Sequence, residues 1–310
     1  MPHFKLTLSY DGTPYHGWQV QPDLSTVQGC LAHAIAEVTG ENVLPQGSGR
    51  TDAGVHALGQ VASFSLAVRI PVANLHRALN RVLPPSIRVL TTEEVDASFH
   101  ARHSSRGKIY EYRLFERRRH GGPLLAGRLP ERACSPFLAP WVWDCRWPLD
   151  LAAMESGATP LIGTQDFSSF AAGDLDKGQR LADDDSDPGE SGPNPIKTIH
   201  SIALARTEEL LTFRIHGSGF LHHMVRNIVG TLVEIGRGAL TPERMTGILT
   251  ARDRSAAGPT APAKGLFLAE VIYPPHPIFE HMRLDRTSLE ASGMESRGMD
   301  IVAEHEEVAR

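Results

Sequence analysis

The sequence predicts an α+β fold, an antiparallel sheet with helices packed on one face. Three observations carry this. Strand-like and helix-like stretches alternate along the chain. The strands interleave apolar and polar residues, as half-buried antiparallel strands do, whereas the strands of a doubly wound parallel sheet read as unbroken apolar runs. The length, 310 residues with 41% hydrophobic and 22% charged, suffices for a large core shared by two packed subdomains.

The elements follow in order. Phe4, Leu6, Leu8 and Tyr10 share one face of a first strand that closes at Asp11-Gly12. Ser25-Thr26-Val27-Gln28 has capping-box spacing, and Val27, Cys30, Leu31, Ala34, Ile35 and Val38 keep a helical period up to Gly40 as the C′ residue. A glycine-rich loop over 47–57 precedes a strand at 60–66. A helix opens with Pro71 at N1, shows Val72, Leu75, Leu79 and Val82 on one face, and ends at Pro84-Pro85; a strand at 87–95 follows. Residues 108–114 alternate with period two, which sets Tyr110, Tyr112 and Leu114 on one face.

The second half continues with a helix at 149–156 and a strand pair in 197–215 that bends at Glu208-Glu209. A strong helix spans 222–235, its stripe formed by Met224, Val225, Ile228, Val229 and Leu232. A shorter helix starts with Thr241 as N-cap and Pro242 at N1, and a strand at 266–273 closes the fold. Two segments lack core composition. Residues 171–195, with Asp183-Asp184-Asp185 and three prolines, read as a solvated, disordered insert, and 276–310 as a loosely held acidic tail. The domain expectation is an N-terminal α+β subdomain over 1–104, a second over 105–275, and the tail.

The formal net charge of −5 argues at first against a polyanionic partner. Its distribution reverses the argument, because the insert is −5 and the tail −4, which leaves the body at +4. The body's cations are mostly arginines, whose planar fork suits phosphates and stacks on bases. The three cysteines, Cys30, Cys134 and Cys145, are far apart and odd in number, the pattern of reduced thiols in a cytoplasmic protein. No apolar run approaches the roughly 20 residues that cross a bilayer, and the start at Met1 lacks a signal-peptide core, so neither membrane nor secretion is expected.

Several chemistries fail on spacing. Gly47-Ser48-Gly49 lacks the last glycine of a dinucleotide fingerprint, and no Gly-Lys-Ser/Thr occurs. His216, His222 and His223 lack zinc-ligand spacing and read as surface or core histidines. Gly217-Ser218-Gly219 is not a nucleophile elbow. What remains is one carboxylate, Asp52, in the glycine-rich loop, a strand with tyrosines, and Arg226 on the strong helix. Taken alone, Asp52 reads equally well as a turn residue or a catalyst. Arg226 lies about 60° from the apolar stripe, where burial would demand a carboxylate partner.

Taken together these stretches resemble the tRNA pseudouridine synthase A family. Gly49-Arg50-Thr51-Asp52-Ala53-Gly54-Val55-His56-Ala57, the Tyr110-x-Tyr112 strand, Gly219-Phe220-Leu221-His222-His223-Met224-Val225-Arg226-Asn227 with Gly230, and Ala261-Pro262-Ala263-Lys264-Gly265-Leu266 occur in family order across 3–275. One departure is Gln165 before Asp166-Phe167, where the family often has a histidine.

The resemblance implies two ferredoxin-like halves that form one continuous antiparallel sheet, with a cleft between them. It implies isomerisation of uridine to pseudouridine at positions 38, 39 and 40 of the tRNA anticodon arm, without metal or small-molecule cofactor, by a homodimer. It makes Asp52 the catalytic carboxylate, attacking or electrostatically assisting at the ribose–uracil unit of a flipped-out uridine. Arg226 becomes its ion-pair partner, Tyr110 and Leu266 pack on the two faces of the uracil, and Arg50 meets phosphate or fills the vacated stack. The contrasting expectation is an RNA-binding relative that keeps the fold without the chemistry and is indifferent to Asp52.

Overall fold

A computed structural model describes residues 1–118, 131–172 and 194–274. Nearly all of the acidic insert and the whole tail therefore lie outside the described residues. Ten strands form one sheet: β1 (His3–Tyr10), β2 (Gln46–Gly47), β3 (His56–Ser65), β4 (Ile87–Val95), β5 (Gly107–Glu116), β6 (Trp143–Cys145), β7 (Gly163–Asp166), β8 (Ile196–Arg206), β9 (Leu211–Gly217) and β10 (Leu266–Ile272). Among the described residues five α-helices accompany it: α1 (Val27–Thr39), α2 (Val72–Val82), α3 (Leu151–Ala158), α4 (Met224–Gly236) and α5 (Arg244–Ala251). No described helix is long and apolar enough to cross a membrane.

Strand order is β4-β1-β3-β10-β5-β9-β8-β7, with β2 also on β3 and β6 on β5. The first half runs β1-α1-β2-β3-α2-β4 and lies in space as β4-β1-β3-β2. Apart from the added β6, β7 and α5, the second runs β5-α3-β8-β9-α4-β10 and lies as β10-β5-β9-β8, so these strands repeat the first half's arrangement. The sheet is not wholly antiparallel as expected. The halves meet along a parallel seam of two residue pairs, Phe267↔His56 and Leu268↔Ala57, and β6 also runs parallel to β5. The cause is geometric: β3 opposes β1 and β10 opposes β5, so two like-oriented copies placed side by side bring together strands of the same direction.

Tyr10, Ala57, Leu268, Tyr110 and Ile215 pair in turn across five strands and form one row on one face. These side chains share a single core with Leu31, Ile35, Leu75, Leu79, Ile228 and Leu232 of the helices. Each such aliphatic side chain removed from water contributes about 1.5–3 kcal/mol.

All five helix starts differ from the sequence reading: Pro71 is the N-cap of α2 and not its N1 residue, α3 begins at Leu151 behind Asp150 as N-cap, and the other three differ too. Thr26, not Ser25, caps α1, accepting from Gly29 N; Gln28 is buried instead, its amide bridging Val20 N and Pro45 O. The helix expected from Thr241 begins only at Arg244, because residues 241–245 first make i→i+3 turns. The strong helix starts at Met224, not at position 222, because His223 takes a left-handed φ of 60° that breaks the helical path.

Candidate active site

The loop before β3 is fastened from below. Gln60, fully buried, accepts from Ser48 Oγ at 2.7 Å and donates to Gly49 O at 2.9 Å. Tyr10 Oη meets Thr51 Oγ1 at 2.8 Å, and Trp18 N donates to Thr51 O at 3.0 Å. The turn closes with Val55 N donating to Asp52 O, and Gly54 holds φ at 75°, the one loop glycine in the left-handed region. Gly47 serves another purpose, since a Cβ there would fall 2.5 Å from the Trp18 ring. Asp52 is thus presented from an anchored turn, its side chain 19% exposed.

The second half brings the counter-charge. Arg226, in the first turn of α4, donates from Nη1 to Asp52 Oδ2 at 2.9 Å and from Nε to Ala261 O at 2.8 Å. One guanidinium therefore bridges the carboxylate and the 258–261 loop. This loop can approach α4 because position 230 is glycine; a Cβ there would lie 1.7 Å from Pro259 O. Ala261 N returns a bond to Arg226 O, and Tyr112 Oη donates to Pro262 O at 2.9 Å.

Two histidines complete the cluster, although their spacing in the sequence predicts surface or core residues. His222 Nε2 stands 3.2 Å from Asp52 Oδ1, and His223 Nε2 3.3 Å from Oδ2, with the two rings stacked at 3.9 Å. The left-handed turn at His223 is what aims both rings at the carboxylate. The sequence held one signal for them, the His-His pair three residues ahead of Arg226.

Burial pushes the Asp52 carboxyl up. The His222 hydrogen bond and the charges of His223, His222 and Arg226 outweigh it, and the pKa settles at about 2. Asp52 is ionised at neutral pH. Asp52, His222 and His223 also offer three donor atoms within 4.8 Å, enough to converge on a metal ion. A divalent cation there would have to displace or repel the Arg226 guanidinium, so the donor set fits a charge-balanced cluster better.

Tyr110, on β5, is buried, sits edge-on to Phe220 at 5.0 Å, and has its phenol pKa raised by burial and then by the Asp52 charge. Arg50 is exposed two residues before Asp52. Leu266 is buried at the start of β10, opposite Tyr112 and on the same face as Leu268, the partner of Tyr110. The cluster thus draws on both halves: Asp52 comes from the first, and His222, His223 and Arg226, with Tyr110 near enough to feel the Asp52 charge, from the second.

An α+β protein with an ionised carboxylate, held by an arginine and flanked by histidines and a tyrosine, has the equipment of a nucleophilic or acid–base enzyme. A family profile described as tRNA pseudouridine synthase matches residues 7–104 and 158–274. Curated relatives include the tRNA pseudouridine synthase A of Solibacter usitatus, 46% identical over 273 residues, which covers 88% of this chain and 100% of that protein. Those of Moorella thermoacetica (42% over 275 residues, 88% and 100%) and Myxococcus xanthus (38% over 274, 88% and 92%) are similar over the same span. The chain belongs to the tRNA pseudouridine synthase family and is an isomerase.

Proposed function

We propose that this chain converts uridine to pseudouridine at positions 38, 39 and 40 of the anticodon stem-loop of tRNA, with Asp52 as the catalytic carboxylate. The observation that carries the reading is the Asp52 cluster: a carboxylate kept charged in a partly buried site, with a permanent counter-ion, Arg226, supplied by the other half. The uracil that leaves C1′ is the uracil that returns through C5, so the reaction needs no water, metal or redox partner. It needs a charged group at the ribose–uracil unit and surfaces that hold the detached base.

Asp52 fills the first role as nucleophile or electrostatic partner. Tyr110 stacks on one face of the flipped uracil and Leu266 packs on the other. Arg50, on the exposed side of the loop, contacts phosphate or fills the place the uridine vacates. We read each half as a ferredoxin-like unit, on the repeated β-α-β-β-α-β order, with the active cleft where they meet. The enzyme works on tRNA in the cytoplasm as a homodimer.

The test is Asp52→Asn. Tritium release from tRNA labelled at uridine C5 should fall by at least about 10⁴-fold, while tRNA affinity stays within about threefold. Turnover within tenfold of the unsubstituted enzyme would sink the assignment.

A further inference from the structure

Arg226 carries a long side chain with about 2 kcal/mol of rotamer entropy to lose, and one bond from Nη1 to Asp52 would leave its guanidinium free to swivel. The second bond, from Nε to Ala261 O, fixes the plane of the fork. The position of Ala261 therefore decides how the arginine meets the carboxylate. The loop that bears Ala261 is tethered to α4 at both ends. Gly258 N donates to Thr231 Oγ1 at 2.9 Å, and that hydroxyl donates to Asn227 O at 2.7 Å. Thr260 Oγ1 donates to Asn227 Oδ1 at 2.7 Å, one residue ahead of Ala261.

Asn227 is fully buried and uses both ends of its amide. Its Nδ2 donates to Phe170 O at 2.8 Å, in the turn that follows β7, and its Oδ1 also accepts from Arg254 Nη2 at 3.1 Å. The same arginine nitrogen reaches Thr260 Oγ1 at 3.1 Å. One side chain thus ties α4 to the turn after β7 and to the segment from 254 to 260. Leucine would leave the Phe170 carbonyl and the Thr260 hydroxyl without these partners, and aspartate could not donate to Phe170. We infer that Asn227 is a positioning residue of the reaction: through Thr260 it sets the Ala261 carbonyl that holds the Arg226 guanidinium against Asp52. The effect on catalysis rests on Asp52 being the reacting carboxylate, as proposed above; the hold on Arg226 does not.

A misplaced fork slows the reaction without weakening binding. Asn227 is sealed in the interior, out of reach of RNA. Its loss should therefore leave tRNA affinity almost unchanged and act on the chemical step, where a displacement of about 1 Å is worth about 10²-fold.

The experiment follows tritium release from tRNA labelled at uridine C5, with kcat and KM resolved. Beside it, NMR of the full chain follows hydrogen exchange of the Arg226 Nε–H, a signal assigned by its absence from Arg226→Lys. Asn227→Ala should lower kcat by about 10²-fold and Thr260→Val by about tenfold, with KM within about threefold, and both should speed Nε–H exchange by at least about tenfold. Thr260→Ser, which restores the hydroxyl, should match the unsubstituted chain in both readouts. If Asn227→Ala does not fold, the two threonine variants test the same link. An unchanged kcat in Thr260→Val, an unchanged exchange rate, or a Thr260→Ser as slow as Thr260→Val overturns the positioning role. If the unsubstituted chain releases no tritium while Thr260→Val still speeds exchange, the hold on Arg226 stands and the isomerase reading at this site falls.

Discussion

The two halves of the sheet use the same device to opposite electrical ends. In each, a tyrosine on the leading strand points toward the helices and ties down a loop with its hydroxyl. Tyr10 on β1 holds Thr51, next to Asp52, and Tyr112 on β5 holds Pro262, next to the Ala261 carbonyl that receives Arg226. The first half delivers an anion from a turn, and the second delivers a cation from a helix. Neither half carries a balanced pair alone: an unpaired Asp52 or Arg226 would bear the desolvation cost with no partner. One arrangement repeated with different loops thus yields a site that forms only when both halves are present.

The strongest break in this symmetry is to remove the cation. Arg226→Met leaves the partly buried carboxylate to the two histidines and strands the Ala261 carbonyl, and should lower unfolding free energy by about 2–3 kcal/mol in urea titrations. Arg226→Lys should fall between the two, because an ammonium cannot reproduce the planar fork that reaches Asp52 and Ala261 together. A lysine variant as stable and active as the parent would show that the bridge to Ala261 carries no weight.

A medium effect comes from acid. The Asp52 pKa is depressed from its ordinary 3.8 to about 2 by folding, so its contribution is complete above about pH 4 and is lost as pH falls through about 2. It amounts to about 2 kcal/mol. The stability advantage of the parent over Asp52→Asn should therefore shrink between pH 4 and pH 2 in thermal unfolding, and a constant difference would refute the depressed pKa.

The smallest effects compare the anchors directly. Tyr10→Phe and Tyr112→Phe should each cost about 0.5–1.5 kcal/mol. If they serve matching roles, each should also slow tritium release at saturating tRNA; a loss of stability without such slowing would make the hydroxyl merely structural.

Much of this was legible in the residues. The apolar period placed β1, α1 and β5, and Arg226 at the margin of its helix stripe already called for a carboxylate. The histidines were not legible, because helical periodicity extends smoothly through position 222 while the break at His223 is imposed by the packing around Asp52. The short β2, β6 and β7 were missed for a related reason: strands of two to four residues are too brief to show a period, and tertiary pairing alone defines them. The parallel seam was also beyond reach, since strand direction across distant segments leaves no mark on composition.

That seam has a mechanical meaning. Two residue pairs join β3 to β10, and the Asp52–Arg226 contact spans the same junction. The ion pair therefore adds a side-chain clasp to a short main-chain bond line, so the sheet is closed there by charge as well as by backbone.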